Sequence, residues 1–201
     1  MSRVVFTPEL VRELIDYDPE TGVMTWRERR AQLYLDLVPG ITMEAALSRA
    51  GRFNMTWAGR EVGTDQVYKS VNRRVRISFG SGITAVRKNA TTVAWMLGAG
   101  REPQSGKEVI TWDGNPRNLA AENIVEVSTP VRYILENPAA GLIQRQDGKW
   151  TWVINHTNNR LRGTGEGYDD KPAARAARDE KLAELGLGDI TRLSDVINGK
   201  D

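Results

Sequence analysis

The chain has 201 residues, no cysteine and a single histidine, His156, and its 28 basic and 26 acidic side chains leave a net charge of only +2. These counts exclude disulfide frameworks, thiolate zinc sites, cysteine nucleophiles and two-histidine metal sites, while an Asp/Glu magnesium site stays open. At 40% hydrophobic and 27% charged the composition is that of a globular chain with material for one or two cores. No apolar run approaches the roughly 20 residues of a membrane span, and residues 1–6 are too short for a signal peptide, so a cytoplasmic protein is expected.

Thr7-Pro8-Glu9 opens a helix, with a capping hydroxyl, proline at the first helical position and an acid near the positive end. Leu10, Val11, Leu14 and Ile15 give that helix one apolar face, and Asp18-Pro19-Glu20-Thr21-Gly22 turns the chain into a strand over 23–26. Residues 27–59 contain a basic cluster (Arg27, Arg29, Arg30), a helix around 43–49 and an irregular approach to Trp57. Val75, Ile77 and Phe79 alternate with Arg74, Arg76 and Ser78, which predicts a half-buried strand with a cationic outer face. Gly80-Ser81-Gly82 turns into 83–86. Asn89 then caps a helix whose Val93, Met96 and Leu97 face the core and which Gly98 stops.

A polar loop over 101–107 precedes a strand at 109–112, a turn at Asp113-Gly114-Asn115-Pro116, a strand at 124–127 and a helix at 130–137. Trp26, Trp95 and Trp112 are expected in the core. Pro138-Ala139-Ala140-Gly141 is the linker candidate and divides the chain into 1–137 and 138–201. Beyond it, 141–144, 149–155 and 160–163 form a three-stranded meander with turns at Asp147-Gly148 and Asn158-Asn159. An alanine-rich helix capped by Asp169 or Asp170 and opened by Pro172 follows, then a short helix and a frayed end. The expected fold class is α+β.

Charge is unevenly placed. Residues 138–201 hold ten basic and ten acidic side chains, so the excess lies before the linker. Arg60, Lys69, Arg73, Arg74, Arg76, Arg87 and Lys88 face only Glu61 and Asp65 within 60–88, a stripe of the kind that tracks a phosphate backbone. A solvated strand face explains the same charges.

Several blocks in order resemble phage HNH endonucleases, the homing-type ββα-metal nucleases. They are Leu14-Ile15-Asp16-Tyr17-Asp18-Pro19-Glu20-Thr21-Gly22-Val23-Met24-Thr25-Trp26, Trp57-Ala58-Gly59-Arg60-Glu61-Val62-Gly63, Val93-Ala94-Trp95-Met96-Leu97, Asp113-Gly114-Asn115-Pro116-Arg117-Asn118 and Glu122-Asn123-Ile124. Gly141-Leu142-Ile143, Gly148-Lys149-Trp150, Gly167-Tyr168 and the alanine-rich helix resemble the plant ethylene-response (APETALA-type) DNA-binding module that such phage proteins carry at the C-terminus.

What the resemblance implies is a nuclease outline without its chemistry. The metal-ligating aspartate and the general-base histidine fall on Ile110 and Thr111, the orienting asparagine on Asn123, and the last metal position near Arg132. Thr91 stands where relatives carry a histidine ahead of the apolar segment, and His156 lies beyond the linker. Loss of the base alone forfeits about 10²–10⁴ in rate, and a cation at the last ligand position repels a divalent ion. Asn123 also fits a plain capping role before a strand, and Asp113 fits ordinary turn chemistry.

Binding is therefore the expected activity. Arg74, Arg76, Arg87 and Lys88 are candidate phosphate contacts, and Arg117 points where the scissile phosphate of a relative lies. Arg145, Lys149, Trp152, Arg160 and Arg162 sit on or beside the meander that related modules lay into the major groove. Alternation puts Trp150 and Trp152 on one face and Thr151 and Val153 on the other, so the tryptophan face either meets DNA or packs on the helix. The expected function is a catalytically inactive, HNH-derived phage protein that binds duplex DNA in the bacterial cytoplasm. A counter-defence (anti-CRISPR-like) inhibitor of a host defence protein or ribonucleoprotein complex is the alternative, and a Mg²⁺-dependent endonuclease with rearranged carboxylates the third. The first two imply no cofactor, no metal and no membrane partner.

Overall fold

A computed structural model describes residues 6–62, 76–78, 87–136, 141–156 and 159–200. The chain is α+β. Its first stretch holds α1 (Pro8–Leu14), β1 (Ile15–Tyr17), β2 (Met24–Trp26), α2 (Ala31–Leu37) and α3 (Met43–Trp57). Next come β3 (Arg76–Ser78), β4 (Arg87–Asn89), α4 (Ala90–Ala99), β5 (Lys107–Thr111), β6 (Ile124–Ser128) and α5 (Thr129–Glu136). The rest comprises β7 (Leu142–Gln144), β8 (Trp150–His156), β9 (Asn159–Arg162), α6 (Lys171–Glu184), β10 (Thr191–Arg192) and α7 (Leu193–Ile197). The sheets are β1-β2, β3-β4, β10-β6-β5 and β7-β8-β9.

Two compact units are distinguished. The first comprises residues 1–103, 109–125 and 192–201, and the second 104–108 and 126–191. Pro138, Ala139 and Ala140 of the expected linker lie outside the described residues, as do Arg74, Val75, Phe79, Gly80-Ser81-Gly82 and 83–86. The C-terminal α7 groups with the first unit because Leu193, fully buried, packs against Gly98 of α4. Helix α5 groups with the second because it packs on β8.

In the first unit the expected helix start holds: the Thr7 side chain accepts from Leu10 N at 3.3 Å and Pro8 occupies the first turn. Ile15 departs from the expected helix face. Its backbone is extended and begins β1 opposite Trp26, so the side chain is buried from a strand. The turn at 18–22 is closed by Asp18, which accepts from Glu20 N at 2.9 Å and the Thr21 hydroxyl at 2.7 Å. Glycine is required at position 22, where φ is +76° and a Cβ would lie 2.3 Å from Ala120 N.

Helix α3 runs eight residues past the expected end at 49 because its buried face continues. Ala46 and Ala50 are buried, Phe53 packs on the core edge, and Asn54 clamps the Arg29 backbone. The Asn54 side chain accepts from Arg29 N at 2.7 Å and donates to Arg29 O at 3.0 Å. Arg29 is the buried member of the basic cluster. Only 5% exposed, its guanidinium lies 3.4 Å from the Phe53 ring centroid and 5.6 Å from that of Trp26, and donates to the Tyr34 hydroxyl at 3.2 Å. Burial pulls its pKa below the usual arginine value. Helix α4 stops at Gly100 in the left-handed region rather than at Gly98.

Trp26 and Trp95 are core residues as expected, but Trp112 is 46% exposed. It follows the last residue of β5, at the mouth of a loop, and its ring lies 5.0 Å from the Arg192 guanidinium. Stacking under a cation replaces burial there.

The second unit contains the expected meander. Leu142, Ile143 and Gln144 pair with Trp152, Thr151 and Trp150, and Val153 and Ile154 pair with Arg162 and Leu161. Helix α6 is capped by Asp170, whose carboxylate accepts from Ala173 N at 2.7 Å, and it packs on β7 and β8. Among the described residues no helix is long and apolar enough to cross a membrane.

Candidate nucleic-acid interface

The positions that the nuclease resemblance singles out divide between the units. Ile110 and Thr111, both partly buried, end β5 in the first unit, and Trp112 N bonds Asn123 O at 2.7 Å across the loop. Asn123 holds that loop. Its Oδ1 accepts from Asp113 N at 3.0 Å, and its Nδ2 donates to Asp113 Oδ1 at 2.9 Å and Asn118 O at 2.8 Å. Asp113 also accepts from Asn115 N at 2.8 Å and Asn118 Nδ2 at 2.8 Å. Burial raises the Asp113 pKa, but the donors from Asn118, Asn123 and Asn115 outweigh it and hold the carboxyl below its usual range. Turn chemistry therefore accounts for both residues. Thr91 Oγ1 donates to Val109 O at 3.0 Å, a structural bond.

Arg132, on α5 of the second unit, bonds Glu108 at 2.5 Å, so a carboxylate already answers its charge. Among the described residues no three His, Asp or Glu side chains gather as metal ligands do.

The sheet of β7, β8 and β9 has two unlike faces. Trp152 is 5% exposed and Ile154 3%, and α6 buries Ala174, Arg178 and Leu182. The Trp152 indole donates to the Tyr168 hydroxyl at 3.3 Å, and Lys171 lies 5.4 Å from the Trp150 ring centroid. Trp152 is thus corrected from a candidate DNA contact to the packing core between sheet and helix. Alternation then places Ile143, Thr151, Val153 and Arg162 on the opposite face. Ile143 is 44% exposed there, and Arg162 is exposed with no ion pair among the described residues.

Two further cations at this sheet carry local counter-charges. Arg145 pairs with Asp147 at 3.1 Å and donates to Gly165 O, and Lys149 reaches Asp169 at 3.6 Å. These are exposed pairs worth about 0–1 kcal/mol each, which a phosphate can displace. Arg160 is in β9, its backbone opposite Asn155. His156 sits at the end of β8 opposite Asn159, and Asn158 lies outside the described residues.

The other candidate contacts belong to the first unit. In the β3-β4 pair, Arg76 is opposite Asn89, Arg87 opposite Ser78 and Lys88 opposite Ile77. The alternation therefore separates Lys88 from the register positions of Arg76 and Arg87. Arg117 is exposed in the first unit's loop, its backbone N–H bonded to Asn115 Oδ1 at 3.1 Å. Sequence reasoning missed the open apolar side chain of Ile143 and the neutralising roles of Asp147 and Asp169. The two-residue spacing of Arg145 and Asp147 across a tight turn was the available signal.

The geometry defines a class of structure, a small antiparallel sheet with α6 against its tryptophan face and α5 also packed on β8. No family model matches the chain, and no curated protein or solved structure matches it.

Proposed function

We propose that the protein acts by binding duplex DNA through the face of the β7-β8-β9 sheet opposite its tryptophans, without cutting it. One observation carries this reading: α6 packs on the tryptophan side, and Arg162, exposed and without an ion pair among the described residues, shares the opposite face with Thr151, Val153 and Ile143. An antiparallel sheet is wide enough for the major groove, and alternate side chains from one face reach base edges while flanking cations meet phosphates. The resemblance to ethylene-response modules supports the same orientation. The resemblance to HNH nucleases, with Ile110 and Thr111 where a ligand and a base are needed, supports an ancestry in which cleavage was lost.

Electrophoretic retardation of a duplex at low salt tests the proposal directly, and absence of any retarded species refutes it. Asp169→Asn frees Lys149, and we expect it to tighten duplex binding about two- to five-fold, in proportion to the weak pair it removes. Unchanged affinity in an anisotropy titration would place Lys149 off the contact surface. Supercoiled plasmid incubated with Mg²⁺ or Mn²⁺ is expected to stay intact. Nicking would favour instead an endonuclease with rearranged carboxylates.

A second reading has its own support. The ion pairs at Arg145 and Lys149 and the exposed Ile143 make the sheet surface nearly neutral and partly apolar. Such a surface also suits a protein partner, such as a host defence protein or ribonucleoprotein complex. Retention of a purified defence complex on the immobilised chain, undiminished by Arg162→Ala, would favour this over DNA.

A further inference from the structure

Helix α3 turns one side to the first unit and leaves the other uncovered. Ala46 and Ala50 are buried on the side that packs on α2, whereas Met43, Leu47 and Met55 are 54%, 58% and 87% exposed. Together with Gly51 they recur every four residues, which makes a continuous ridge on the helix surface. The gap at Gly51 is open, since a Cβ there would meet nothing within 4 Å.

The neighbouring ridge is Glu44, Ser48, Arg52 and Thr56, all exposed. Glu44 and Arg52 make no ion pair among the described residues, and two helical turns, about 12 Å, keep them from reaching each other. Their spacing has a symmetric solution. In an antiparallel pair of α3 helices with the two-fold axis at Ser48, Glu44 of each copy lies opposite Arg52 of the other. The same register sets Leu47 and Met43 against the partner's apolar ridge, and Gly51 lets the backbones approach closely. Self-complementarity of this kind is what a two-fold interface demands.

We propose that this face of α3 is a homodimer interface whose occupant is a second copy of the chain. One helix pair buries less than the roughly 1,200 Å² of a standard interface, so association is weak, on the order of micromolar or above. The proposal is independent of DNA binding.

Sedimentation equilibrium of the full chain tests it. From about 1 to 200 μM the average mass is expected to rise from one chain towards two, a range set by that weak affinity. Glu44→Arg and Arg52→Glu each place like charges opposite one another and should weaken dimerisation about ten-fold or more, whereas the double reversal should return it to within about three-fold of the parent. Leu47→Glu should abolish it. All four variants change exposed side chains, and unchanged helical circular dichroism confirms the fold.

A parent chain that stays monomeric throughout overturns the proposal. So does a double reversal no better than the single changes, or a Leu47→Glu variant that still dimerises. If Leu47→Glu instead alters duplex affinity with no change in mass, the ridge contacts nucleic acid and the dimer is excluded.

Discussion

Replacing Trp152 by alanine is expected to destabilise the second unit by about 3–5 kcal/mol, the range for removing a buried tryptophan. The indole fills the layer between β8 and α6, and its N–H is bonded to the Tyr168 hydroxyl. Truncation leaves a cavity and also orphans that hydroxyl. Urea unfolding followed by circular dichroism measures the loss. A cost below about 0.5 kcal/mol, the range of ordinary surface changes, would mean that the tryptophan face is not the packed one. The sheet would then present its other side to a partner.

Asn123→Ala should cost about 2–3 kcal/mol, at roughly 1 kcal/mol for each of the three side-chain hydrogen bonds that it removes. A residue kept only as a relic of catalysis would cost almost nothing. The same substitution takes one donor from Asp113 and should raise its pKa, which a carboxyl-carbon NMR titration reads. Because the folded-state pKa of Asp113 is depressed, its contribution to stability is present above the unfolded value of about 3.9 and is lost as pH falls through the folded value. Acid titration should therefore loosen the 113–118 loop below about pH 4 in the parent. In Asp113→Asn that part of the acid sensitivity should vanish.

Much of the architecture was legible because it rests on local chemistry. The caps at Thr7 and Asp170 each rest on a side chain within three residues of its backbone partner, and period-two alternation over 149–155 sorts the meander residues into two faces without deciding which one packs. What escaped depends on distant partners. Nothing near Arg29 signals that Phe53 and Tyr34 will enclose it, nor does local pattern separate the buried Trp95 from the exposed Trp112. Ile15 failed for a related reason: its apolar spacing suits a helix, but pairing with Trp26 recruits it into a strand.

The candidate site was legible in part. Arg145, Lys149 and Arg162 lie at the sheet as the sequence suggested, but the charge count alone could not show that Asp147 and Asp169 hold two of them. The same count peaks in residues 60–88, whose described strands separate Lys88 from Arg76 and Arg87 by register.

The salt dependence of duplex binding tests the central claim most directly. Anisotropy titrations of a labelled duplex between about 50 and 200 mM salt should give a linear fall of log K against log salt concentration, and each phosphate contact removed should make the slope shallower by about one. Replacement of Arg145, Lys149 and Arg162 together by alanine is predicted to lower the slope by nearly three, while Arg117→Ala leaves it unchanged. An unaltered slope in the triple variant, or no binding by the parent at 50 mM, would contradict a DNA contact through this sheet.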